Sequence, residues 1–96
     1  MEVILTDRFL QRVEKFSDYI ALDDIPMAVK WARDVYKRCE QLQSYPQSGR
    51  VVPEFGRPEI QELIHGNYRL IYEIKTDQID MLTVWNTSQP LPKQLK

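Results

Sequence analysis

Apolar residues recur in two different rhythms along this chain. In the first half, Phe9, Val13, Phe16 and Ile20 are spaced four, three and four apart, which is one face of an α-helix. Thr6 stands just before that run, where its hydroxyl can cap the first turn. Asp23 and Asp24 interrupt the pattern, and "DDIP" opens a second helix with an acid at the N-cap and Pro26 in the first turn, where its missing N–H costs nothing. Ala28, Trp31, Ala32, Val35, Cys39 and Leu42 form the second apolar face, and Pro46 and Gly49 end it. The spacing predicts helices near 7–22 and 25–44. Only a few residues join them, so they are expected to pack as an antiparallel hairpin.

The second half alternates with a period of two. The pattern predicts strands near 59–65, 68–75 and 79–85, after a short apolar strand at 2–5. Gly66-Asn67 and the "TDQ" turn are too short for a crossover, so these three strands form an antiparallel meander. The expected fold class is α+β, in the order β-α-α-β-β-β, with the helix hairpin on one face of a small antiparallel sheet. Tyr68, Leu70, Tyr72, Ile79, Met81 and Trp85 supply the continuous apolar face, with Trp31, Val35, Tyr72 and Met81 buried beneath the helices. Arg69, Ile71, Glu73, Leu82, Val84 and Asn86 fall on the other face. The tail "TSQPLPKQLK", with two prolines, is expected to run extended along the surface. Nothing left in the chain is large enough to cover this half-apolar second face, which marks it as a binding surface.

Composition narrows the class. Ninety-six residues make one domain, and a chain this short buries only about two-thirds of its unfolded surface. Thirteen basic and fourteen acidic side chains give a net charge of −1, without a basic block or tail. Strong non-specific binding to nucleic acid needs several cations on one surface, so it is not expected. The single cysteine, Cys39, excludes an intrachain disulfide and fits a reducing compartment. No stretch has the length of a signal peptide core or a membrane span, so the expected location is the cytoplasm.

Few residues carry the pattern of a reactive group. One His and one Cys, far apart, give no metal-ligand spacing, and three glycines make no phosphate loop, so neither metal nor cofactor is expected. Cys39 lies on the apolar face of the second helix and reads as core rather than nucleophile. His65 precedes a turn and is expected to face solvent. Lys30, Arg33, Lys37 and Arg38 read as a solvated helix face. Arg69, on a strand between apolar neighbours, calls for a partner. It can pair internally with Glu73 or Glu62, or point outward to an anion or carboxylate.

The segment from Tyr45 to Asn86 resembles the core signature of the ParE/RelE superfamily of type II toxin–antitoxin toxins. The matching residues are Pro46, Gly49 and Arg50, then Val52-Pro53-Glu54, then Gly66, Tyr68, Arg69, Leu70 and Tyr72, and finally Ile79 to Val84. Taken together and in this order they are more similar to the ParE branch than to RelE. The resemblance implies a single toxin-like domain over 1–96, two antiparallel helices on a small antiparallel sheet, and a protein antitoxin as partner. ParE-like members act on DNA gyrase and belong to plasmid-stabilisation modules; RelE-like members cut mRNA on the ribosome, where the arginine matching Arg69 stabilises phosphate charge.

Where many relatives have arginine this chain has Gln61, where they have histidine it has Asn86, and where an arginine often follows it has Gln89. These departures leave Arg69 the sole catalytic candidate, and only for a ribonuclease. The expectation is therefore a toxin that binds a protein target, such as gyrase, without intrinsic catalysis; the alternatives are an mRNA interferase or a degenerate toxin kept as a regulator. The candidate contact set is Arg69, Ile71, Leu82, Val84 and Asn86, with Arg50 and Glu54 from "SGRVVPEFG". Arg69 is expected to meet a carboxylate of the antitoxin or target.

Overall fold

Two local caps start the helices where the pattern places them. In a computed structural model of the protein, which describes residues 1–95, Thr6 accepts from the Phe9 N–H at 3.2 Å and opens α1 (Asp7–Ala21). Asp24 accepts from the Met27 N–H at 3.0 Å and opens α2 (Ile25–Gln41), with Pro26 in its first turn. These helices pack against a sheet made of β1 (Glu2–Leu5), β2 (Arg50–Val51), β3 (Ile60–His65), β4 (Tyr68–Ile74) and β5 (Gln78–Asn86). Among the described residues no helix is long and apolar enough to cross a membrane.

The sheet order is β1-β5-β4-β3-β2. The meander of β3, β4 and β5 is antiparallel, as the short turns require. Two features lay outside the sequence reading. β1 pairs in parallel with β5, from which both helices and the three intervening strands separate it along the chain, so the sheet is mixed. Arg50 and Val51 add a fifth, two-residue strand against Glu62 and Gln61.

The main core lies between the helices and one sheet face. Phe9, Val13, Val35 and Leu42 meet Leu63, Leu70, Tyr72, Ile79, Met81 and Val84 there. Val35, Tyr72 and Met81 are fully buried, as expected, whereas Trp31 is half-buried against Tyr68 at the margin. Cys39 is buried in this core, and burial pushes its thiol up to about 12, which keeps it protonated and inert.

A β-bulge corrects the expected faces. Ile71 pairs with Thr83 but Tyr72 with Met81, so β5 has an extra residue, Leu82, at that step. A one-residue slip reverses every side chain beyond it. Val84 therefore points to the helices opposite Leu70, Asn86 aligns with Tyr68, and Trp85 moves to the Arg69 face.

The second face is also covered, contrary to expectation. Val52 and Phe55, from the loop after β2, meet Leu91 and Leu95 from the tail over Ile60, Ile71 and Leu82. The tail is not merely laid along the surface: Leu95 is buried, and its carbonyl accepts from Arg8 Nη1 at 2.6 Å. Small apolar contributions from two irregular segments close a face that no single regular element could cover.

Candidate functional site

The segment "YPQSGRVVPEFG" turns back under β3 by a clamp centred on Tyr72. The Tyr72 hydroxyl accepts from the Gly49 N–H at 3.1 Å and faces two acceptors, Gln61 Oε1 at 3.0 Å and the Pro46 carbonyl at 3.3 Å. A Cβ at Gly49 would meet that hydroxyl and lie 2.6 Å from the Glu62 carbonyl oxygen, so only glycine fits. Gln61 Nε2 in turn donates to Gln47 Oε1 at 2.8 Å. Pro46, Gly49 and Tyr72, three positions of the signature, thus build one local support with Gln61.

Past the clamp, the chain turns over the second face. The Phe55 and Gly56 N–H groups both donate to the Val52 carbonyl at 3.1 Å, and Gly56 takes φ +61, the left-handed region that favours glycine. That turn sets Glu54 above Arg69. Arg69 donates from Nη1 and Nη2 to the two Glu54 oxygens at 2.7 and 2.8 Å, and from Nε to Glu62 Oε1 at 2.5 Å. Arg50 Nε donates to the other Glu62 oxygen at 2.8 Å. The Glu62 side chain has no exposure, and one guanidinium sits on each of its oxygens. A buried carboxylate survives as an ion only with such pairing.

Electrostatics follow the geometry. The Arg69 hydrogen bonds pull Glu54 from its ordinary 4.5 to about 2. The same bonds, with Glu54 first, raise the Arg69 pKa further above its usual value. Arg69 therefore finds its carboxylate partners within the chain. Of the alternatives open for it, the internal pair with Glu62 holds, strengthened by Glu54 from the loop after β2.

The remaining candidates scatter. Ile71, Leu82 and Val84 are buried within the chain itself and present no open surface. Arg50 is exposed and Glu54 keeps part of its carboxylate in water. Asn86 closes a turn, its Oδ1 accepting from the Ser88 N–H at 2.9 Å and the Ser88 hydroxyl at 2.7 Å. His65 is half-buried rather than solvent-facing; burial, then the Arg38 charge, holds its pKa below the usual value. Arg38 donates to the Ile64 carbonyl and Lys30 pairs with Asp34, so half of the basic face of α2 is engaged. Among the described residues, no group of three His, Cys, Asp or Glu is placed to hold a metal ion.

A second site lies away from Arg69, and of the candidate set only Asn86 lines it. Only the first half of β5 is paired with β1, and beyond Met81 its free edge is met by side chains from the start of the chain and α1. Thr6 Oγ1 donates to the Met81 carbonyl at 2.6 Å, and Arg12 Nε to the Val84 carbonyl at 3.1 Å. The Arg12 guanidinium then lies 4.5 Å from the Trp85 ring centre and 5.0 Å from that of Phe16. A groove of about 630 Å³ opens here between α1, the end of β5 and the start of the tail. The signal was present in the sequence: Arg8, Arg12, Lys15 and Tyr19 repeat the four-three-four spacing of the apolar stripe, one position earlier.

Comparison with known proteins agrees with this architecture. A solved structure described as the chromosomal ParDE TA system from P. aeruginosa matches with a TM-score of 0.74 over 90% of this chain and 95% of that chain. Their identity is 19%, so the likeness speaks to the fold. No curated protein sequence matches. The family model described as ParE toxin of type II toxin–antitoxin system, parDE, matches residues 3–91. Matched over nearly its whole length, this chain belongs to the ParE toxin family of type II toxin–antitoxin systems.

Proposed function

We propose that this toxin acts by binding a protein target in the cytoplasm, DNA gyrase, without hydrolysing RNA, and that a cognate protein antitoxin neutralises it as part of a plasmid-stabilising pair. The observation that carries this reading is the closure of Arg69. Each of its three nitrogens donates to a carboxylate, so the arginine that would stabilise phosphate charge is neutralised within the chain. Cutting a phosphodiester also calls for a proton-transfer group near the reacting oxygen. Asn86 has no titratable proton and is committed to its turn. Gln61, where a second cation would stand, is bound to Tyr72 and Gln47. Among the expected contact residues, Arg50, Glu54 and Asn86 keep exposed or half-exposed side chains and are the ones a partner can touch.

The test uses purified wild-type chain in two assays and one growth experiment. Gyrase supercoiling should be inhibited, mRNA on translating ribosomes should stay intact, and expression should arrest growth unless the protein encoded beside this chain is co-expressed. Codon-linked mRNA cleavage that disappears in Arg69→Ala would overturn the binding reading. Unaffected gyrase would remove that target.

A further inference from the structure

We propose that the groove beside Arg12 receives an acidic, apolar-anchored peptide segment of the antitoxin, with one carboxylate held by Arg12 and a side chain laid against Phe16, Tyr68 and Trp85. The inference rests on the preceding reading only for the identity of the partner. Its chemistry comes from the groove itself.

Arg12 is a receptor already oriented and not yet used. Its Nε is pinned to the Val84 carbonyl, and the Phe16 and Trp85 rings hold its plane. Among the described residues, no acceptor engages Nη1 or Nη2. These two nitrogens form the fork that suits a carboxylate in bidentate contact. Burial, then the Arg8 charge, lowers the Arg12 pKa, as befits a cation without a counter-ion. Lys15 adds a second cation, 5.9 Å from the Phe16 ring centre. Among the described residues lining the groove there is no acid, although acids outnumber bases in the whole chain.

The walls argue for a peptide rather than a nucleic acid. Phe16, Tyr68 and Trp31 pack together, with ring centres 4.8 and 5.0 Å apart, and Tyr19 and Trp85 extend that aromatic surface into the groove. A single-stranded nucleic acid would also stack on such rings, but it needs a cationic track along its backbone. Two cations make a point contact, not a track. One carboxylate and one apolar anchor match what the groove offers.

The test measures binding of a labelled short peptide alternating glutamate with leucine and phenylalanine. Its lysine-for-glutamate counterpart, a short single-stranded RNA and the protein that rescues growth serve as the other probes. The proteins are wild type, Arg12→Gln, Lys15→Glu and, as a control on an exposed side chain of α2 away from the groove, Lys37→Gln. Lys15→Glu alters only an exposed side chain, so it reports on binding even if Arg12→Gln lowers stability. Expected is preference for the acidic peptide, and loss of at least about 30-fold for that peptide and for the rescuing protein on Arg12→Gln, with binding of the peptide by Lys37→Gln unchanged. Lys15→Glu should weaken both in the same direction. Equal binding of the acidic peptide by all four proteins, no binding of it by wild type, or preference for RNA would overturn the proposal. If the rescuing protein binds wild type and Arg12→Gln alike, the groove is not its site, while the antitoxin reading stands. If no protein rescues growth, that reading falls, while the peptide arm still decides whether the groove takes an acidic segment.

Discussion

Arg69 and Arg12 carry the same side chain and end in opposite situations. Arg69 is nearly buried, and three donors reach two carboxylates of its own chain. Arg12 is half-buried, spends one donor on a backbone carbonyl and stacks between two rings. Trp85 links the two, as the register partner of Arg69 and the π-surface under Arg12. The difference teaches that a guanidinium is defined by the charges folded around it. Surrounded by Glu54 and Glu62 it is architecture; surrounded by aromatic carbon and no acid it is a receptor in waiting.

The largest expected effect comes from breaking the closed site. Arg69→Ala leaves Glu62 buried against Arg50 alone and frees Glu54. Removing one member of a buried ion pair costs about 3–5 kcal/mol. At about 4–8 °C per kcal/mol for a domain of this size, the melting temperature of the free protein should fall by more than about 12 °C. A drop of only a few degrees in thermal unfolding would mean that the quartet does not hold the second face together.

Next comes the support beneath that quartet. Gly49→Ala forces a methyl group against the Tyr72 hydroxyl and the Glu62 carbonyl. Overpacking of this kind costs about 1–3 kcal/mol, read as a lower urea midpoint at unchanged slope. Unchanged stability would mean that the segment around Gly49 shifts freely.

Arg12→Gln tests the other half of the comparison. It removes exposed cation–π contacts of about 0.5–1 kcal/mol and one hydrogen bond to a carbonyl. Thermal unfolding should therefore show a loss well below that of Arg69→Ala, while binding suffers more. Equal losses of stability for both variants would erase the distinction drawn between them.

The smallest effect is a pH dependence. Folded Glu54 titrates near 2 rather than 4.5, so between those values the unfolded chain binds more protons than the folded one. Its contribution is fully present above about 4.5 and is lost as pH falls through about 2. Its side chain is 43% exposed, and water screens the pair, so the loss is on the order of 1 kcal/mol rather than the roughly 3 that the shift would otherwise imply. Denaturant unfolding of wild type and Glu54→Gln at pH 5 and pH 2 should show the smaller acid sensitivity in the variant. Equal sensitivity would place the acid response elsewhere.

What the sequence by itself determined was everything that repeats locally. Apolar spacing placed both helices and the three strands of the meander, capping chemistry placed the helix starts, and turn length required antiparallel pairing. These rest on contacts between residues close along the chain or on a period that every residue of an element shares. Tertiary structure alone decided the rest. One extra residue at Leu82 exchanged the faces of Val84 and Trp85, and nothing in an alternating pattern announces a bulge. Val52, Leu91 and Leu95 closed a face that looked open, because each contributes a single side chain from a segment with no period to read. Glu54 reached Arg69 across a loop, and Arg12 was left without an acid. Charge pairing depends on distance in space, and a charged residue's sequence neighbours do not reveal which charges the fold will bring to it.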